Sequence, residues 1–447
     1  MWRWEVCFFY EQRETSDMRS FVYEQLTKQL DDDPLIDELG LVVRASELLF
    51  GGNDSKESDS AADDGKGPPF ICREHKLGIS SWCLPDLYRF ATNLFLSLIA
   101  NIDFKSLQCL HNVEISTVKE IHDSTRIILL INADSYRAWN VRKFLIQAFR
   151  LKTDDEIRFM NLVFSKHPKS GEAWSHRRWV LRQVKDFESR NSKQLSDVSS
   201  QPHSSNVDDF VRNDHFSTEI RICAQVAEIY PKNYYAWTHR QWLVKLFDFE
   251  ELKQELRRVS RWNDLHVSDH CGFHHRQFVL LCCLERSKLH SGIVLKDFDE
   301  GNSSNSDQFH HEKLESSEDC EFCEIFREEF VYLSDMIRRY PGHESLWCYR
   351  RFLWSYWFRL QIQHPTDSDD SNANYSPTSQ STDSDNSELL LKLLSEEIEF
   401  AQHHIEDDEV SNFPKQRRFA TRYKLWILHS IRGFCSRIPT ASQFWKI

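Results

Sequence analysis

Residues 230–243, Y-P-K-N-Y-Y-A-W-T-H-R-Q-W-L, constrain this chain more than any other stretch, because the unit recurs. Further copies stand at residues 133–145, 167–180, 266–279 and 340–353, and a weaker one surrounds Trp426. Each copy has a central aromatic anchor: Trp139, Trp174, Trp237, Phe273 and Trp347. Four positions earlier stand Ser135, Ser170, Asn233, Asp269 and His343, and the first four are residue types whose side-chain oxygen caps a helix N-terminus. Two positions before the cap, three copies carry Pro168, Pro231 or Pro341, which suits the extended chain leading into a helix. Every anchor is therefore expected in the second turn of a helix. Three residues after each anchor is an arginine, Arg142, Arg177, Arg240, Arg276 and Arg350. Residues at i and i+3 are neighbours on a helix, and a guanidinium can stack on a ring or fork onto a carboxylate.

The spacing sets the architecture. Trp139 to Trp174 is 35 residues and Trp237 to Phe273 is 36, the length of a helical hairpin in an α-solenoid. The gaps Trp174–Trp237 and Phe273–Trp347 are longer by polar insertions rich in Ser, Asp and Asn. The expected fold is all-α: a curved, right-handed, tetratricopeptide-like solenoid of antiparallel hairpins. Residues 84–363 form the repeat array, with insertions near 188–215 and 288–318 looped out as disordered acidic segments. Residues 1–83 are expected as a helical extension with a flexible loop at 51–69. Residues 364–388 are Ser/Asp-rich and expected disordered, and residues 389–447 as terminal helices with a degenerate repeat.

Composition agrees. The 447 residues are 40% hydrophobic and 28% charged, with 14 Trp and 31 Phe to build a large core and only 12 Gly, which disfavours turn-rich β folds. The net charge of −13 argues against a nucleic-acid binder, although the repeats are locally basic and leave room for an anion site. Twelve Cys without framework spacing read as reduced thiols in the cytoplasm. Residues 1–10 do not read as a secretory signal, and no apolar run has transmembrane length.

With those residues in view, P-K-N-Y-x-A-W-x-H-R-Q-W at 231–242 closely resembles the repeat of protein prenyltransferase α subunits. The resemblance covers the five copies, roughly residues 121–360. It implies a helical-hairpin subunit that pairs with a prenyltransferase β subunit, and copies 266–278 and 340–351 point to the β subunit of Rab geranylgeranyltransferase as that partner. It further implies transfer of an isoprenoid from its diphosphate to a cysteine near a protein's C-terminus; geranylgeranyl is the expected group, although the lipid pocket belongs to the partner and the sequence leaves farnesyl open. The subunit alone would be inactive, and it would hold no cofactor, since the catalytic zinc of the family belongs to the β subunit.

The residues support a site within that frame. Lys232 precedes the expected N-cap Asn233, so its ammonium stands at the mouth of a helix N-terminus, where free N–H groups and the helix dipole already favour an anion. Tyr234 opens that helix and can donate its O–H. By the resemblance, Lys232 and Tyr234 are the residues that touch the isoprenoid diphosphate, with Lys232 in the catalytic role. Lys169 occupies the same place in the second copy, and Ser268 and Gly342 in the fourth and fifth, so no general structural need explains the lysine. His239, Arg240, His275 and Arg276 are candidates for contact with the partner, against the plainer reading that they pack the repeats. No nucleophile stands paired with His176, His239, His274 or His275 for catalysis.

Cys320 and Cys323 form a C-x-x-C, with Cys282, Cys283, His310 and His311 upstream, but the spacing lacks a second short pair and no metal site is expected. The alternative to an enzyme subunit is a non-catalytic repeat scaffold that binds other proteins. The intact P-K-N-Y favours the enzyme subunit.

Overall fold

The computed structural model describes residues 15–43, 67–100, 102, 113–184, 208–290, 321–362, 382–406 and 413–432. Residues 51–66, 188–207, 291–318 and 364–381 of the expected loop, insertions and Ser/Asp-rich segment lie outside these residues, while 208–215, 288–290 and 382–388, expected as looped out or disordered, are helical. Two compact units are present, Met1–Leu246 and Phe247–Ile447.

The first unit begins with α1 (Thr15–Asp32), then a small sheet of β1 (Glu38–Val42), β2 (Phe70–Arg73) and β3 (Lys76–Ser80). The strand order is β1-β3-β2, with β1 parallel and β2 antiparallel to β3. The helical reading of residues 1–83 thus holds for α1 and is corrected for residues 38–42 and 70–80. These strands are four or five residues long, too short for alternation to show, and the β2–β3 turn is made by Glu74 and His75, both at positive φ, without an Asn-Gly signal. Leu77 and Ile79 are buried, and Leu39 N–H donates to Ser165 Oγ at 2.9 Å, tying β1 to the first repeats.

Helix α2 (Leu84–Ile99) packs on α3 (Ile115–Ile131), and three hairpins follow: α3 with α4 (Tyr136–Gln147), α5 (Thr153–Lys166) with α6 (Gly171–Gln183), and α7 (Asp208–Ile229) with α8 (Tyr234–Val244). The second helices of successive hairpins touch, α4 on α6 and α6 on α8. The second unit repeats the plan with α9 (Phe249–Leu265) and α10 (His270–His290), α11 (Glu321–Arg339) and α12 (Glu344–Ile362), and α13 (Thr382–Glu406) and α14 (Pro414–Arg432). All-α helical-repeat architecture is therefore present in both units. Each anchor helix starts at the residue after its expected cap, and all five anchors are buried. Phe164 stacks on Trp174 with centroids 4.0 Å apart, filling the space between α5 and α6.

Candidate functional site

In the first unit the turns within the second and third hairpins are each bonded to the turn of the hairpin before. Ser170 Oγ accepts from Ala173 N–H at 3.2 Å and points its proton at Ala133 O (3.1 Å) and Asp134 Oδ1 (2.7 Å). One hairpin later, Asn233 Oδ1 accepts from Ala236 N–H at 3.3 Å and Asn233 Nδ2 donates to Pro168 O at 2.8 Å. That same carbonyl accepts from the Trp174 indole at 2.9 Å. Cap, proline and anchor are thus one hydrogen-bonded unit, and this explains why the three recur in register. Asp269 also caps, accepting from Cys271 N–H at 2.8 Å, whereas Ser135 makes no side-chain cap bond.

Lys232 and Tyr234 lie on this turn edge, both exposed, with Tyr234 60% accessible. Lys232 has φ of 60°, in the left-handed region that L residues seldom occupy. Its carbonyl accepts from Tyr234 N–H at 3.1 Å, closing the turn into α8. Tyr235 meets Tyr234 edge-on at 5.9 Å, and its ring lies over Gly171, the first residue of α6, where a Cβ would approach the ring to 3.0 Å. A side chain at 171 would displace Tyr235 and disturb the entry to α8. Lys169 is exposed on the neighbouring turn. An ammonium, a phenol and a helix N-terminus together suit a multiply charged anion such as a diphosphate.

The expectation that His239, Arg240, His275 and Arg276 contact a partner is corrected, because all four are buried inside their own unit. His239, His275 and Arg276 belong to a buried polar ladder built on glutamates. Arg142 Nε donates to Glu156 at 3.0 Å, and His176 Nε2 donates to the same carboxylate at 2.7 Å. Arg177 clasps Glu219 through Nε (2.8 Å) and Nη2 (2.5 Å), and His239 Nε2 donates to Glu219 at 3.1 Å. Arg240 lies over the Trp237 ring and donates to Ile220 O at 3.3 Å.

In the second unit His275 Nε2 donates to Glu255 at 2.9 Å, Arg276 Nε to Glu329 at 2.7 Å, and Arg350 Nη2 to Glu397 at 2.8 Å. At Glu329 and Glu397 a tyrosine takes the histidine's place, with Tyr349 Oη donating to Glu329 and Tyr423 Oη to Glu397, each at 2.6 Å. Both options for the repeated arginine are realised together, since Arg142 also lies 4.6 Å from the Phe159 ring and Arg276 4.5 Å from that of Tyr332.

Glu156 and Glu219 are charged although buried. Burial pushes the Glu219 pKa up, but the Arg177 charge and the His239 hydrogen bond outweigh it and bring it down to about 2. Glu156 is likewise lowered, burial being outweighed by Arg142 and His176. Burial lowers the pKa of His176 and His239, only partly opposed by their glutamates, so both rings are neutral Nε2–H donors. The glutamates were missed from sequence, yet a signal existed: Glu156, Glu219, Glu255 and Glu329 each stand 18 positions before the anchor of their own hairpin.

Cys282 and Cys283 are buried, while the C-x-x-C pair and the two upstream histidines fall outside the residues whose side chains are described. Among the described residues no group of three or more His, Cys, Asp or Glu could hold a metal ion, and no helix is long and apolar enough to cross a membrane.

The model of the protein prenyltransferase alpha subunit repeat matches residues 153–184, 216–247, 252–283 and 326–357, the hairpins α5–α6, α7–α8, α9–α10 and α11–α12. The chain is 31% identical over 353 residues to the protein prenyltransferase alpha subunit repeat-containing protein 1 of Danio rerio, covering 76% of this chain and 74% of the relative. The Homo sapiens protein of that name is 29% identical over 349 residues, covering 76% of this chain and 79% of its own. A more distant likeness, 25% over 201 residues, is to the geranylgeranyl transferase type-2 subunit alpha of Candida albicans, covering 43% of this chain and 47% of that one. With the repeats, the caps and the buried ladder in register, the chain belongs to the family of protein prenyltransferase alpha subunit repeat-containing proteins.

Proposed function

We propose that this protein is the α half of a heterodimeric protein prenyltransferase that carries geranylgeranyl from its diphosphate to a protein cysteine, in the cytoplasm. The observation that carries this reading is Lys232, exposed on a left-handed turn one residue before the N-cap of α8. In the reaction the substrate thiolate attacks C1 of the isoprenoid, a C–S bond forms, the C–O bond breaks, and diphosphate leaves with the electron pair. In this proposal the Lys232 ammonium and the Tyr234 hydroxyl meet that developing charge, with the α8 dipole behind them. The thiol-activating and lipid-holding groups belong to a β subunit, of the Rab geranylgeranyltransferase type in this proposal, and any zinc resides there. The matching repeat name and the distant likeness to a geranylgeranyl transferase α subunit support the reading.

The test is co-expression with that β subunit, purification through a tag on either chain, and assay of geranylgeranyl transfer to a C-terminal cysteine substrate. A stable complex with activity that neither chain has alone is expected. No complex, or a complex without transfer, would instead favour a scaffold.

A further inference from the structure

The glutamate ladder draws the repeated histidines and arginines into the core, so a partner must meet the chain elsewhere. The second helices of the hairpins offer a face for it. Positions 1, 4, 5 and 8 after an anchor share one side of a helix. Counted from Trp139, Trp174 and Trp237 there are four such positions on each of α4, α6 and α8, twelve in all. Every one is half-buried or exposed, and none is acidic, in a chain with 69 Asp and Glu. Lys143, Arg178, Arg182 and Lys245 supply positive charge, and Trp179 and Trp242 stand half-buried among them. Helix α4 touches α6 and α6 touches α8, so the face is continuous. The matching positions after Phe273 and Trp347 in the second unit are free of acid too. Exposed carboxylates lie on the first helices of the hairpins instead, as at Asp154, Asp155 and Glu228.

The charges on this face lack counter-charges. Lys143 lies over the Trp179 ring at 5.9 Å and Arg182 over the Trp242 ring at 5.6 Å. No carboxylate among the described residues pairs with Lys143, Arg178 or Arg182. Arg178 donates to Ser175 Oγ at 3.2 Å, and burial, with Arg182 one turn on, lowers its pKa. Like charges one turn apart repel, and a carboxylate brought by a partner would relieve them. Tryptophan and arginine are also the side chains that carry most binding energy at protein interfaces. The net charge of −13 opposes a nucleic acid or an anionic bilayer, whereas a protein can bring its carboxylates to this face alone. We propose that the basic, aromatic face of α4, α6 and α8 docks the β subunit, which meets it with an acidic surface. This rests on the proposed pairing with a β subunit and adds which surface makes it.

The test titrates the full-length chain against the β subunit and reads Kd. Lys143→Glu with Arg182→Glu should weaken binding by ~100-fold. Lys152→Glu with Arg221→Glu makes the same change of charge at exposed positions beside α5 and on α7, and should weaken binding by less than ~3-fold. Wild-type affinity should fall with added salt, and the Lys143/Arg182 variant should lose most of that dependence. Should charge reversal lower the melting temperature, Lys143→Gln with Arg182→Gln spares the fold and should still weaken binding by ~10-fold. The Lys143/Arg182 variants at wild-type affinity, or the control weakening binding as much as they do, would overturn the docking face and leave the pairing standing. Self-association of the chain that these variants abolish, with β-subunit binding unchanged, would assign the face to a second copy and overturn the proposal likewise. Wild type without measurable binding to the β subunit would remove the pairing itself, and the docking face with it.

Discussion

His176 Nε2 donates to Glu156 Oε1 across 2.7 Å, joining α6 to α5 through a carboxylate that Arg142 already clasps from α4. Three successive helices thus share one buried charge, and Glu219 repeats the arrangement with Arg177 and His239. Packing of large rings supplies the bulk of the core, while the ladder fixes which face of each hairpin meets the next. Buried ion pairs of this kind cost desolvation, so their strongest signature is the penalty for breaking them.

Glu156→Gln leaves Arg142 with an uncompensated buried charge. It should destabilise the protein by ~3–5 kcal/mol in chemical denaturation. A change below ~0.5 kcal/mol would show that the ladder contributes no more than an exposed pair does.

Acid should act through the same groups in two stages. In the unfolded chain His176 and His239 take up protons as pH falls through their ordinary 6.5, whereas burial delays uptake in the folded chain to lower pH. The unfolded state then binds more protons, so stability present above pH 6.5 is lost as pH falls below it. Glu219, ordinarily 4.5 but held at about 2, adds a second loss below pH 4.5. The melting temperature should decline from pH 6.5 to 5, and His176→Gln with His239→Gln should flatten that decline. A wild-type melting temperature constant across this window would contradict the neutral buried rings.

The anchors, caps and arginines were legible because each carries a local rule: aromatic burial, side-chain capping, the i,i+3 neighbourhood. Asn233 and Ser170 cap as their residue types direct, and Trp174 fills the core as a large ring should. The partner of each arginine was not legible locally, since Arg177 meets Glu219 from 42 residues away, across an insertion of arbitrary length. The same gap left His239 and Arg276 open between partner contact and repeat packing, a choice settled only when their glutamates are in place. For the candidate site, Lys232 and Tyr234 were visible as residue types, but the left-handed backbone under Lys232 was not, because nothing in P-K-N marks it.

Phe149 ends α4 in the same conformation for a different reason. Its N–H donates to Ile146 O (3.0 Å) and Arg150 N–H to Leu145 O (2.8 Å), the bonds of a Schellman cap, with φ of 55° and a side chain 93% exposed. Phe149→Gly removes the left-handed penalty and loses almost no packing. It should raise stability by about 1 kcal/mol. A loss of stability would mean that the phenyl ring makes contacts beyond this chain's described residues.

Trp174→Ala tests the anchors. Removing a ring that is fully buried, stacked on Phe164 and bonded to Pro168 O should cost ~3–5 kcal/mol and spread to the adjoining hairpins. An unchanged melting temperature would show that the anchors are not core.

The central claim, that this turn edge serves prenyl transfer, is tested most directly by single-turnover geranylgeranyl transfer in the complex with the β subunit at saturating geranylgeranyl diphosphate. Lys232→Ala should slow the reaction by ~10- to 1000-fold while leaving the fold and the complex intact, and Lys169→Ala, on the neighbouring turn, should change it far less. Equal rates for wild type and Lys232→Ala would contradict the account and leave the chain as a scaffold for its partners.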